Sequence, residues 1–141
     1  MKKPRRVLVG LKTAEHAVEL TDVACRLAAR NAALTLVHVI ELPDPTPLDA
    51  DVPRLEAEAA KILRAGERVA HRGGLRVQTT VLRAHNAGYA LIDEMQSGRF
   101  ELAVIGYHHG RSLGEVLLGT TAQHVAKQAP CHLVCLIPPR P

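Results

Sequence analysis

The chain has 141 residues, with 18 Lys and Arg against 14 Asp and Glu, a formal charge of +4. That length and an apolar content of 47 % suit one globular domain with a core of its own. No apolar run approaches the roughly 20 residues of a membrane helix, and two Tyr, one Phe and no Trp leave no aromatic stacking platform for a nucleic acid.

The N-terminal residues 1–5 are basic, but the following Val7-Leu8-Val9 is too short for a signal peptide, so a cytoplasmic location is expected. Arg6–Gly10 is nearly all apolar and reads as a strand buried on both faces. A loop from Leu11 to Ala14 leads into a helix over Glu15–Asn31, with Ala17, Leu20, Ala24, Leu27 and Ala28 on one face. A second strand follows over Leu34–Ile40. From Glu41 to Pro53, four prolines and four acidic residues predict a stiff extended loop, either over a site or serving as a crossover.

Leu55, Ala59, Ile62, Gly66 and Val69 mark a second helix, stopped at Gly73-Gly74. Arg76–Leu82 reads as a third strand. Asn86 suits the N-cap of a third helix over Ala87–Gln96, with Ala87, Ala90, Leu91 and Met95 inward. Leu102–Ile105 is the fourth strand. A segment rich in glycine and histidine comes next, Gly106 to Glu115, and then Val116-Leu117-Leu118-Gly119-Thr120-Thr121. Ser112 with Glu115 and Thr120 with Gln123 have capping-box spacing, so a single turn over Leu113–Leu118 and a last helix from Thr120 are expected. In that helix Ala122, Val125, Ala126 and Ala129 share a face. Pro130 ends it, and Leu133–Ile137 is the fifth strand.

Strictly alternating strands and helices predict an α/β domain over residues 1–141. Its sheet is five-stranded and parallel, with helices on both faces, and a proline-rich tail follows at 138–141. Ligands of such sheets bind beyond the carboxyl ends of the strands where the strand order reverses. The loops after the first and fourth strands are therefore the candidate site. Strand, glycine loop and helix start together present free backbone N–H groups to an anion.

Other chemistry finds less support. Cys25, Cys131 and Cys135 are an odd set without CxxC spacing and read as buried free thiols. No pair among the eight histidines stands at metal-ligand spacing beside an acidic cluster, so no metal site is expected. A nucleophile elbow, a Cys–His pair and a positioned carboxylate pair are all missing. A non-enzymatic protein is expected, with weak ATP hydrolysis left open.

Gly106 and Gly119-Thr120, the phrase Glu115-Val116-Leu117-Leu118-Gly119-Thr120, and Gln128-Ala129-Pro130-Cys131 before the last strand resemble the universal stress protein family, over essentially the whole chain. The resemblance implies a Rossmann-like three-layer sandwich with strand order 3-2-1-4-5 and a homodimer paired through the last strand. It implies an adenine nucleotide, ATP or AMP, with Mg²⁺ as an optional companion. Phosphates would be held at Gly106, His108, His109, Gly110, Arg111, Gly119, Thr120 and Thr121, and the rest of the nucleotide at Gly10, Leu11, Lys12 and Val39. A protein partner, including a membrane transporter, also fits the family; nucleic acid and direct membrane insertion do not.

The chain departs from the family's nucleotide-binding pattern in two main places. His109 stands where the second loop glycine falls, with Gly110 one residue later, and Lys12 stands where an Asp follows the first strand. Ala84 replaces a frequent glycine before the third helix. Arg111 and the two histidines suit a phosphate, and Lys12 is placed either to reach one or to pair with Glu41. The alternative function is a dimerisation module that binds no nucleotide and works through protein contacts.

Overall fold

Val7, Leu8 and Val9 are all fully excluded from solvent. Successive side chains of a strand point to opposite faces, so this strand is covered on both. A computed structural model describes residues 2–106, 120–137 and 139 and shows how. The elements run β1 (Arg6–Gly10), α1 (Ala14–Leu27), β2 (Ala33–Glu41), α2 (Pro53–Arg72), β3 (Arg76–Ala84), α3 (Ala87–Ser97), β4 (Leu102–Gly106), α4 (Thr120–Gln128) and β5 (His132–Leu136). The five strands form one sheet in the order β3-β2-β1-β4-β5, and every pairing is parallel. This is the α/β architecture and strand order expected from the sequence.

The alternation along β1 divides the core. Val7 and Val9 pack with Leu20, Ala24, Ile62 and Leu63 of α1 and α2. Leu8 faces the other way, among Leu91, Met95, Ala122 and Val125 of α3 and α4. At the amino ends of the strands, the Arg6 guanidinium donates to the Gly98 carbonyl at 3.0 and 2.7 Å and lies over the Phe100 ring. Part of the basic N-terminal cluster is thus committed to closing the end of the sheet that faces away from the loops of interest.

Several helix details differ from the sequence expectation. Helix α1 starts one residue earlier, capped by Thr13, whose hydroxyl accepts from the His16 N–H at 3.4 Å. It ends at Leu27 rather than Asn31, because Ala28 is already extended at φ −73° and ψ 152°; Asn31, with a left-handed φ of 65°, then turns the chain toward β2. Leu27 is exposed and Thr21 buried in its place. In α3, Gly88 and Ile92 are buried while Ala87 and Ala90 are only half-buried, and in α4 Ala126 is exposed. The single turn expected over Leu113–Leu118 lies outside the described residues.

The proline-rich segment is a crossover tied to the sheet. Leu42 is buried, and its N–H donates to the Ala84 carbonyl at 2.8 Å. Arg83 of β3 donates through Nη1 to the carbonyls of Leu48 at 3.1 Å and Ala50 at 2.6 Å, and through Nη2 to the Glu56 carboxylate. His85 Nδ1 holds the Leu42 carbonyl at 3.0 Å. Together these bonds place the segment beside the β3 edge without help from a ligand.

Helix α2 approaches closely because residue 66 has no side chain. A Cβ there would lie 2.9 Å from Leu11 Cδ1, Leu36 Cδ1 and Thr21 Oγ1 at once. Real Cβ atoms do not sit so near three neighbours in a packed core, so α2 would have to lift. Gly66→Val is expected to lower unfolding stability by about 1–3 kcal/mol. A wild-type urea midpoint for that variant would contradict this packing.

Candidate functional site

Beyond β1 the chain is held by the neighbouring strand. The Leu11 N–H donates to the Val37 carbonyl at 2.8 Å, and the Leu11 carbonyl lies 2.7 Å from His38 Nδ1. A carbonyl can only accept, so Nδ1 carries the proton in this bond. Both backbone polar groups of Leu11 are therefore fixed from β2. The strand-end glycines serve close packing here. A Cβ at Gly10 would stand 3.3 Å from Ile105 Cγ2, and one at Gly106 would stand 3.0 Å from Leu20 Cδ1.

A cavity of about 370 Å³ opens at this end of the sheet, between the carboxyl ends of β2, β1 and β4. That volume falls within the range of small-molecule sites. Of the residues singled out from the sequence, Gly10, Leu11, Lys12, Val39, Gly106 and Thr121 line it together. Thr120 opens α4 beside them. His108, His109, Gly110, Arg111 and Gly119 lie outside the described residues.

Other lining residues were not singled out as site residues. Leu91 and Ala87 of α3 and Ala122 of α4 close one side, and His16 and Leu20 of α1 close the other. Glu41, at the end of β2, also lines the cavity. The signal for it was present, since Val37, Val39 and Glu41 alternate along one face of a strand. What no sequence period reveals is that α3 begins directly beside it.

Charges around the cavity are arranged asymmetrically. Glu41 Oε2 accepts from the Ala87 N–H at 2.7 Å, and Asn86 Oδ1 accepts from the Tyr89 N–H at 3.0 Å. The Ala87 and Tyr89 N–H groups of the first turn of α3 are thereby satisfied from within the protein. Glu41 makes no ion pair with Lys12; the ion pairs among the described residues are Arg26–Asp22 and Arg83–Glu56. The pairing of Lys12 with Glu41 considered from the sequence is not formed. Lys12 is exposed at the rim, and the first turn of α4 contributes Thr121 and Ala122 to the wall. A helix start of that kind favours an anion.

A larger and more open groove of about 550 Å³ lies between α1 and α2. Glu15, Glu19 and Asp22 line it against the single cation Arg72, which opposes an anionic ligand, and it lies away from the strand ends. Cys25 at its base is half-buried rather than fully buried, and burial first, then the Asp22 carboxylate, raises its thiol pKa. Burial raises Cys131 and Cys135 as well, so all three thiols are poor nucleophiles near neutral pH.

The chain matches the model of the universal stress protein family over residues 3–136. It belongs to that family. Solved universal stress proteins share its fold across nearly the full length of both chains. One from Archaeoglobus fulgidus is 18 % identical, with a TM-score of 0.75 over 92 % of this chain and 96 % of that one. A universal stress protein in complex with cAMP is 20 % identical, with a TM-score of 0.68 over 95 % and 98 %. A family protein from Arabidopsis thaliana with AMP bound is 16 % identical, with a TM-score of 0.67 over 96 % and 93 %. No curated protein matches the chain.

In this family member, His38 links the strand to the loop that carries Leu11 and Lys12. Removing its ring nitrogen would leave a part-buried carbonyl without its partner. His38→Leu is expected to cost about 1–2 kcal/mol of unfolding stability, with His38→Asn recovering part of the loss through its own amide N–H. Equal urea midpoints for wild type and His38→Leu would show that the bond contributes nothing.

Proposed function

We propose that this universal stress protein binds an adenine nucleotide in the cavity beyond β1, β2 and β4 and acts as a regulatory domain rather than an enzyme. The observation that carries the reading is the position and make-up of the cavity. It lies where the strand order reverses, its floor is apolar, and the start of α4 and a lysine with no ion pair among the described residues stand at its rim. Family proteins solved with cAMP and AMP support the adenine class. ATP is the alternative to AMP. Mg²⁺ would enter with the phosphates, since the described residues contain no group of three or more His, Cys, Asp or Glu able to hold a metal.

The reading extends to the assembly. β5 is an edge strand whose residues Leu133–Leu136 are only half-buried, with Ile137 beyond them 45 % exposed. An apolar edge of this kind invites a further strand, which fits a homodimer formed through Leu133–Ile137. Such a dimer would work in the cytoplasm on a protein partner, a membrane transporter included. Among the described residues no helix is long and apolar enough to cross a membrane. Lys12, in place of the family's Asp, favours a second reading: a dimerisation module that binds no nucleotide.

Nucleotide released from freshly purified, denatured protein, together with calorimetric titration using AMP and ATP, decides between the two. Binding at micromolar to millimolar concentration is expected, with Lys12→Glu weakening it at least tenfold because a carboxylate would then face the phosphates. No heat and no thermal shift at millimolar nucleotide would overturn the proposal. The dimer is expected to scatter light as a particle of twice 15.3 kDa. A monomeric mass at micromolar concentration would remove that part of the reading.

A further inference from the structure

A parallel sheet brings every strand start to one end, together with the C-terminal ends of the helices that precede β2 to β5. This end lies opposite the cavity. It gathers cations that stand far apart in sequence: Lys2, Lys3 and Arg5 before β1, Arg30 before β2, Arg76 opening β3 and Arg99 before β4. All six are exposed, and none belongs to an ion pair among the described residues. The one acidic residue in segments 28–32, 73–75, 98–101 and 129–131 is Glu101, whose Oε1 takes the Arg5 N–H at 3.0 Å. At the other end of the sheet, the crossover 42–52 holds Asp44, Asp49 and Asp51 and no Lys or Arg.

Backbone bonds lock the basic connections to one another. The Ala29 N–H donates to the Pro4 carbonyl and the Ala33 N–H to the Arg5 carbonyl, each at 2.8 Å, and the Glu101 N–H donates to the Arg6 carbonyl at 2.9 Å. Arg76 Nη2 donates to the Asn31 carbonyl at 3.4 Å. Pro4 is buried between the exposed Lys3 and Arg5. The cations are thus mounted on a fixed end of four neighbouring strands, about 15 Å across at the usual strand spacing. Complementing the helix dipoles does not account for them, because Arg26, Arg72 and Lys127 already occupy the last turns of α1, α2 and α4.

We infer that this end of the molecule docks on an anionic lipid surface through its basic side chains, without insertion. A bilayer with acidic headgroups offers negative charge over a plane, and clusters of Lys and Arg of about this size bind such surfaces electrostatically. Segments 28–32, 73–75 and 98–101 are all short, so no long loop stands between the cations and a plane. A duplex nucleic acid fits less well. Backbone N–H groups and helix starts set its register, whereas helix ends face outward here, and the one ring at this end, Phe100, is buried beneath Arg6. The surface is independent of the nucleotide reading, since the cavity opens at the opposite end.

Co-sedimentation compares vesicles of phosphatidylcholine alone with vesicles of phosphatidylcholine and phosphatidylglycerol in equal parts. Binding to the anionic vesicles alone is expected at about 0.1 M salt, and its loss near 1 M, where the screening length falls to about 3 Å. Lys3→Glu combined with Arg30→Glu should weaken binding at least tenfold, each unit of charge being worth about fivefold at such a surface. Both side chains are exposed, so the thermal midpoint should stay at the wild-type value. Lys61→Glu combined with Arg64→Glu, exposed in the middle of α2, makes the same change in net charge. Lys61 stands about 16 Å from the C-terminal end of that helix, beyond the screening length of about 10 Å at 0.1 M salt, so this variant should bind as the wild type does. Equal weakening in the two variants would reduce the effect to net charge and overturn the assignment of this surface. Binding to phosphatidylcholine alone overturns it as well. So does failure to bind the anionic vesicles, whether or not a random-sequence duplex or polyglutamate is bound in their place.

Discussion

The constraint on which this structure depends is that β1 must be buried on both faces. Three consecutive apolar side chains, Val7, Leu8 and Val9, leave no face for water. A parallel strand covered twice needs helices above and below, and parallel neighbours need crossovers to supply them. With right-handed crossovers, the first two helices fall on one face and the last two on the other once the chain returns to the centre at β4. The reversal of strand order, and with it the crevice beyond β1 and β4, follows from covering one central strand. The site is a by-product of how the core is closed.

That crevice would be of little use if its walls were loose. The loop after β1 has no regular structure of its own, yet both backbone polar groups of Leu11 are bonded to β2, one through the strand and one through His38. Its side chain is gripped in turn where α2 passes over position 66. A residue of the cavity wall is therefore fixed by two elements that contribute to the core, and stability and site geometry are coupled through it. The proline-rich segment is equally fixed, by Arg83, but beside the β3 edge; none of residues 42–53 is among the lining residues. It behaves as a crossover and not as a cover for the cavity.

The architecture was legible because its signals are local and strongly periodic. Each strand was a short apolar run, each helix a stripe at 3.6-residue spacing, and glycine, proline or asparagine marked most ends. Errors arose where tertiary contact outranked period. Thr21 is buried although polar, because α2 comes close at Gly66, and Leu27 is exposed although apolar, because α1 stops at Ala28. The candidate site was legible to the extent that it sits on strand ends, which is why Gly10, Leu11, Lys12, Val39, Gly106 and Thr121 meet in one cavity. Glu41 and Ala87 meet across 46 positions of sequence, and His38 and Leu11 across 27. Pairs that far apart carry no local spacing signal; only the register of β1 with β2, and the landing point of α3, bring them together.

The arrangement of charge also bears on what a lysine at position 12 does to the site. A lysine that paired with Glu41 would neutralise the one carboxylate among the described lining residues. Here one oxygen of the carboxylate takes the Ala87 N–H, and Lys12 and Glu41 line the same cavity without pairing. An exposed ion pair would contribute about 0–1 kcal/mol, whereas a hydrogen bond to a charged group contributes about 1.5–3 kcal/mol. The bond to the helix start engages one oxygen of the carboxylate and leaves the other open, yet among the described residues Lys12 makes no ion pair. A cation, a helix start and a carboxylate bonded to a second helix start therefore line one cavity. Lysine in place of an acidic residue after β1 thus puts a positive charge, and not a hydrogen-bond acceptor, at the rim of the cavity.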